Sequence, residues 1–208
     1  RKLTYLDRET RMGNFHIRDQ AAGDELDGAN VGVVGFGHIG QRFAEMCRDA
    51  LHMKVYAYDP YVSREEVEAW GAVKCDTVEA LMSECKYVSI HTPGSDETNH
   101  LIDQDALSAL GPQGYLVNAS RGPVVDESAL IHSLQNGIIA GAALDVYDPE
   151  PPENDNPLFK LDNVVLTPHL ASFTDQGRRR MGLMVVEDVL KVLKGEEPLY
   201  LANQIDLE

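Results

Sequence analysis

Three side chains of complementary chemistry fall in separate short motifs: Arg121 in "NASRG", Glu150 in "LDVYDPEPP" and His169 in "LTPHLAS". An arginine can grip a carboxylate through two parallel hydrogen bonds and polarise a neighbouring carbonyl. An imidazolium can donate a proton near neutral pH, and a carboxylate beside it favours its charged form. Together the three types suit reduction of a 2-keto acid. Taken singly, each also has a plain structural reading, as a loop arginine, a solvated acid and a turn histidine.

The stretch "VGVVGFGHIGQRFAEM" supplies Gly35, Gly37 and Gly40 in the order G-x-G-x-x-G, directly after an apolar run. The first glycine permits a tight turn, the second lets backbone approach a pyrophosphate, and the third lets a helix pack closely on a strand. The free amides and positive dipole end of that helix then favour phosphate. Ile39, Phe43 and Met46 are expected to share the helix's apolar face. A second apolar run, "MKVYAYDP", ends in Asp59, nineteen residues after Gly40, where a carboxylate can accept from ribose hydroxyls and repel a 2′-phosphate. This combination points to NAD in preference to NADP. The alternative for the glycines is a tight turn with close packing, and for Asp59 a strand-end cap before Pro60. Arg64 is either a surface arginine at a helix start or a partner for phosphate, and His38 lies within the glycine loop.

These motifs need elements to hold them. Strand candidates are Asn30 to Val34, Met53 to Tyr58, Tyr87 to His91, Gly114 to Val117, Ile139 to Leu144 and Val164 to Leu166. They alternate with segments of helical period, which predicts βαβ units and a doubly wound parallel α/β sheet. Helix starts are signalled by Ser63 with Glu66 and by Asp76 with Glu79. Further helices are expected over Asp103 to Leu110, Asp126 to Asn136 and Asp175 to Leu193, the last two stopped by Gly137 and Gly195. Residues 1 to about 28 carry no strand signal, and "DPEPPENDNP" at 148–157 is too rich in proline and acid for regular structure. In such a sheet ligands gather outside the carboxyl ends of the strands, which is where Arg121, Glu150 and His169 fall.

The 34 acidic and 18 basic residues leave a formal charge of -16, which disfavours nucleic acid and anionic membrane as partners. No apolar run approaches the length of a membrane span, and the first residues lack a signal-peptide pattern, so a soluble cytoplasmic protein is expected. Cys47, Cys75 and Cys85 show no CxxC spacing; they read as reduced structural thiols, and no metal site is expected.

Over Gly23 to Leu199 the four motifs, in this order and spacing, resemble the cofactor-binding domain of the D-isomer-specific 2-hydroxy acid dehydrogenases. The resemblance implies an NAD-dependent oxidoreductase that passes a hydride between nicotinamide and a D-2-hydroxy acid or 2-keto acid. It implies that His169 transfers the proton, Glu150 raises the histidine's proton affinity and Arg121 orients the substrate. It also sets Asp145 near the nicotinamide carboxamide. Glutamate at 150 argues against the formate dehydrogenase branch, which has glutamine in that role. The candidate cofactor contacts are Gly35, Gly37, His38, Ile39, Gly40, Asp59, Thr92, Pro93, Thr98, Ala119, Ser120, Arg121, Asp145 and His169. His91, in "VSIHTP", reads as a structural residue beside the cofactor.

Members of the family carry a second domain that closes over the substrate, whereas only twenty-nine residues precede the first strand candidate here. The expected layout is a linking helix over 1–22, the Rossmann domain over 23–195 and a returning tail over 196–208. Family habit implies a homodimer, with Leu3, Tyr5, Leu6 and Phe15 as apolar residues available for burial. A second class of function also fits: an NAD(H)-binding regulatory protein, similar to the family's transcriptional co-repressors.

Overall fold

The computed structural model describes residues 2–200, and Arg1 and residues 201–208 of the expected tail lie outside them. The chain divides into two compact units, Arg1–His169 and Leu170–Glu208. In the first unit seven strands form one wholly parallel sheet in the order β3-β2-β1-β4-β5-β6-β7. They are β1 Asn30–Val34, β2 Lys54–Tyr58, β3 Val73–Lys74, β4 Tyr87–Ile90, β5 Tyr115–Asn118, β6 Gly141–Leu144 and β7 Val164–Leu166. The helices are α1 Leu3–Arg11, α2 His38–Leu51, α3 Arg64–Ala69, α4 Val78–Glu84, α5 Gln104–Leu110 and α6 Glu127–Gln135, with α7 Asp175–Leu193 in the second unit. The doubly wound fold class is therefore the one the alternating pattern predicts.

Buried parallel strands still alternate. Val31 and Val33 of β1 pack with Val55, Ala57, Ala44 and Val67 in one cluster, on the side of α2 and α3. Val34 packs with Val88, Ile90, Leu116, Leu81 and Leu107 in a second cluster, on the side of α4, α5 and α6. Gly32 has no side chain because Leu81 of α4 fills the space: a Cβ there would come within 2.4 Å of its side chain. Two layers of helix over a central sheet follow from this division.

Local chemistry sets the helix ends. The Ser63 hydroxyl accepts the Glu66 amide at 3.2 Å while the Glu66 carboxylate accepts the Ser63 amide at 2.9 Å, closing the expected capping box of α3. Asp103 accepts the amides of Asp105 and Ala106, and Asp126 accepts that of Ala129, so α5 and α6 start where expected. Gly137 (φ 65°) and Gly195 (φ 77°) take the left-handed conformation after α6 and α7.

Two expectations are corrected and one strand is added. Helix α4 is capped by Thr77, whose hydroxyl accepts the Ala80 amide at 3.1 Å, and not by Asp76, whose carboxylate is drawn away by Arg64 at 2.8 Å. Strand β3 carries no periodic signal because it is a two-residue edge. On α2 the buried stripe is Gly40, Ala44 and Cys47, with Phe43 half-buried, whereas Ile39 and Met46 are exposed. Small residues win that face because they let the helix lie close on β1.

Candidate active site

The glycine turn leaves β1 at Gly35, whose φ of 92° and close approach to the backbone of His91 and Thr92 both require glycine. A Cβ at Gly40 would fall 2.1 Å from the Gly35 carbonyl oxygen, so this position is fixed by packing within the protein. Gly37 is different: a Cβ there would meet nothing within 4 Å and would project into open space ahead of α2. That space borders the free first-turn amides of a fourteen-residue helix, a favourable place for phosphate. His38 and Ile39 are exposed at the same helix start, with Gly40 buried behind them.

Asp59 follows β2 and braces the turn. Its Oδ2 accepts the Phe36 amide at 2.8 Å and its Oδ1 accepts the Tyr61 amide at 2.9 Å. Each carboxylate oxygen has two lone pairs, so acceptor capacity remains for ribose hydroxyls. Arg64 is engaged with Asp76 and the Lys74 carbonyl and does not accompany Asp59. Across the turn, at the end of β4, the His91 Nε2 and Thr92 Oγ1 are buried without a hydrogen-bond partner among the described residues. Burial pushes His91 down to about 4, which keeps the ring neutral, and it packs on Phe43 with ring centroids 5.1 Å apart. Buried polar atoms without partners are uncommon enough to mark a place prepared for something else. The open space at Gly37, the braced Asp59 and these two atoms fit a dinucleotide. Beyond Thr92 the loop closes on itself, as Thr98 Oγ1 donates to the Pro93 carbonyl at 2.7 Å and accepts the Ser95 amide at 2.9 Å.

At the end of β5 the chain turns around Asn118, which is almost fully buried. Its Oδ1 accepts from the Ser120 amide at 3.0 Å and hydroxyl at 2.8 Å, and its Nδ2 donates to the Arg121 carbonyl at 2.9 Å. This net sets the course of Ala119, Ser120 and Arg121. The Arg121 guanidinium donates to the Ser120 carbonyl at 2.6 Å, folded back on its own turn, and its side chain stem passes Gly94. Gly122 is pressed against the next loop, since a Cβ there would lie 1.8 Å from the Tyr147 carbonyl oxygen.

The ends of β6 and β7 bring the acid and the histidine together. Glu150 Oε1 meets His169 Nδ1 in a short contact, while Glu150 Oε2 accepts the Tyr147 amide at 3.3 Å. The bond to His169, then the Tyr147 amide and the positive charges of His169 and Arg121, hold the Glu150 carboxyl below the usual carboxylate range. The Tyr147 hydroxyl donates to the Thr167 carbonyl at 2.9 Å, and the Thr167 hydroxyl donates to the buried Asp145 carboxylate. His169 itself takes a left-handed φ of 52°. Glu150 and His169 are thus brought into contact, and Arg121 is close enough for its charge to act on Glu150. No periodicity or motif marks Asn118, Glu127, Tyr147 or Asn156 in the sequence beyond, at Asn118, an amide at the end of an apolar run.

The family model described as "D-isomer specific 2-hydroxyacid dehydrogenase, NAD binding domain" matches residues 1–171. The chain belongs to this family. Among curated relatives, the D-3-phosphoglycerate dehydrogenase of Archaeoglobus fulgidus is 41% identical over 195 residues, covering 94% of this chain and 36% of the relative. The glyoxylate reductase of Korarchaeum cryptofilum is 39% identical over 207 residues, covering 98% of this chain and 62% of the relative. The chain therefore spans between about a third and three fifths of the curated relatives it matches. Among solved structures, the holo form of Rhodotorula graminis D-mandelate dehydrogenase aligns with a TM-score of 0.89 at 28% identity, over 98% of this chain and 61% of that one. D-Lactate dehydrogenase with NAD+ from Lactobacillus jensenii aligns with a TM-score of 0.84 at 29% identity, over 98% and 64%. In this member of the D-2-hydroxyacid dehydrogenases the glycine turn and the Glu150–His169 pair lie at the carboxyl ends of strands of one sheet. Among the described residues no helix is long and apolar enough to cross a membrane, and no group of metal-ligating side chains is found.

Proposed function

We propose that the chain is the cofactor-binding part of an NAD-dependent D-2-hydroxy acid dehydrogenase. The observation that carries this is the contact between Glu150 and His169 Nδ1 on the strand edge that also holds the glycine turn. NAD, when bound, supplies or accepts the hydride. His169, with Nδ1 turned to Glu150, offers Nε2 as the acid that protonates the keto oxygen, and as the base in the reverse direction. Glu150, in contact with Nδ1, holds the ring in that orientation. Arg121, released from the Ser120 carbonyl, pairs with the substrate carboxylate and orients its carbonyl. Gly37, His38 and Ile39 would face the pyrophosphate and Asp59 the ribose, with Gly35 and Gly40 shaping the turn behind them. Thr92, Pro93, Thr98, Ala119, Ser120 and Asp145 line the way to the nicotinamide. Occupation of Asp59 by two amides and of Arg64 by Asp76 supports NAD over NADP.

The test is oxidation of NADH with a panel of 2-keto acids, assayed in the natural polypeptide that carries this sequence, beside NADH binding by fluorescence. Reduction of at least one acid, lost on His169→Gln, is expected. Binding without any turnover would overturn the dehydrogenase reading in favour of a regulatory one. A homodimer is proposed on the strength of Leu3 and Phe15, which are 72% and 64% exposed. Light scattering that returns a monomer mass removes it. Three buried free thiols support a reducing compartment, and with it the cytoplasm.

A further inference from the structure

Resting on the reading of Glu150 and His169 as the proton-transfer pair, we propose that Glu127, with Asn156, is the positioning residue that holds Glu150 against His169. The segment 148–156 carrying Glu150 has no regular structure, so no sheet or helix ladder fixes it. Both of its ends are tied to one carboxylate. Glu127, the first residue of α6, accepts the Asp148 amide at 3.2 Å through Oε2 and the Asn156 Nδ2 at 2.7 Å through Oε1. Negative charge at a helix N-terminus is also favoured by the helix dipole.

The orientation of Asn156 is settled by its surroundings. Its Oδ1 accepts the Leu158 amide at 2.9 Å, Leu158 is fully buried and Asn156 is 6% exposed, so Nδ2 faces Glu127. Only a carboxylate can accept from both donors at once; a glutamine would turn its own NH2 towards either the Asp148 amide or the Asn156 NH2. On the other flank the Tyr147 carbonyl rests on Gly122, so the Arg121 turn, the start of α6 and the Glu150 loop form one contiguous set. Within that set, Glu150 bonds to the Tyr147 amide and to His169. Without Glu127 the loop ends are free to part, and the acid leaves the imidazole.

The donor and acceptor logic supplies its own test. Glu127→Gln and Asn156→Asp each create a mismatch, whereas the double variant restores complementarity with the roles exchanged. The first readout is the titration of the Glu150 side-chain carboxyl carbon by NMR, in which His169 and Arg121 are the charged groups facing it. Each single variant is expected to move that midpoint up towards the ordinary value, and the double variant to return it. The second readout is 2-keto acid reduction in the natural polypeptide. There kcat is expected to fall roughly 10–100-fold in the single variants, by the cost of misplacing a reacting group, with NADH affinity unchanged and kcat recovered in the double variant. An unmoved Glu150 titration in Glu127→Gln overturns the proposal. If that variant does not fold, the double variant decides: Glu150 titrating as in the wild type supports the clamp, and any other outcome rejects it. Shifts as expected without turnover on any acid would sink the dehydrogenase reading and leave the positioning intact.

Discussion

His169 turns Nδ1 towards the Glu150 carboxylate, which fixes the ring orientation and leaves Nε2 as the nitrogen that can face a substrate. Replacing Glu150 by glutamine keeps a hydrogen-bond acceptor and removes the charge. Reduction of 2-keto acids is expected to drop by about 10²-fold or more, within the range for general acid catalysis, and NADH fluorescence titrations should be unaffected. Equal activity in the glutamine variant would show that the acid is not needed.

The same pair has a pH signature. The folded-state pKa of Glu150 is lowered, first by its bond to His169, from an ordinary value of 4.5. A group so depressed contributes stability above its unfolded pKa and loses it as pH falls through the folded one. Since the pair is partly exposed, the contribution is under about 1 kcal/mol. Urea midpoints of wild type and Glu150→Gln should differ slightly at pH 7 and converge below pH 4; a gap that widens on acidification contradicts the assignment.

The second and third glycines of the turn should fail in opposite ways. Gly40→Ala forces a methyl into the Gly35 carbonyl and is expected to cost roughly 1–3 kcal/mol by overpacking. Gly37→Ala meets nothing in the protein and should stay within about 1 kcal/mol of wild type, the N-cap preference for glycine over alanine. Its loss should instead be in NADH affinity. Thermal melts and fluorescence titrations on both variants separate these effects.

Cofactor choice follows from Asp59. A 2′-phosphate would sit beside a carboxylate already held in place by the Phe36 and Tyr61 amides, with Arg64 tied to Asp76. Like-charge juxtaposition predicts that NADH binds at least about tenfold more tightly than NADPH. Parallel titrations with the two cofactors check this, and comparable affinities would mean that Arg64 lets go of Asp76.

Much of this fold is legible in the amino-acid sequence. Apolar runs of three to six residues locate β1, β2 and β4 to β7, and capping side chains locate the starts of α3, α5 and α6. Arg121, Glu150 and His169 stand out because three complementary side-chain types follow the ends of successive apolar runs. The rest depends on partners that chain order hides. Thr77 caps α4 because Asp76 is taken by Arg64, twelve residues away. Ile39 and Met46 share a helical face by spacing, yet glycine and alanine hold the sheet because closeness, not hydrophobicity, decides there. Glu127 and Asn156 are twenty-nine residues apart and polar, so no periodic signal could join them.

The strand order also dictates a timetable. Paired residues on neighbouring strands lie seventeen to twenty-eight positions apart along the chain everywhere except at β1 and β4, where Val31 meets Tyr87 after fifty-six. That closure carries the largest loop entropy in the sheet, about 0.6 kcal/mol more than a closure of half its length. On a ribosome, β1, β2 and β3 can associate first, and the sheet then waits for β4 before it lengthens strand by strand. The Gly35 turn touches His91 and Thr92 only across this junction. The nucleotide crevice is therefore complete only when the half that carries the glycine turn and Asp59 meets the half that brings His91 and Thr92.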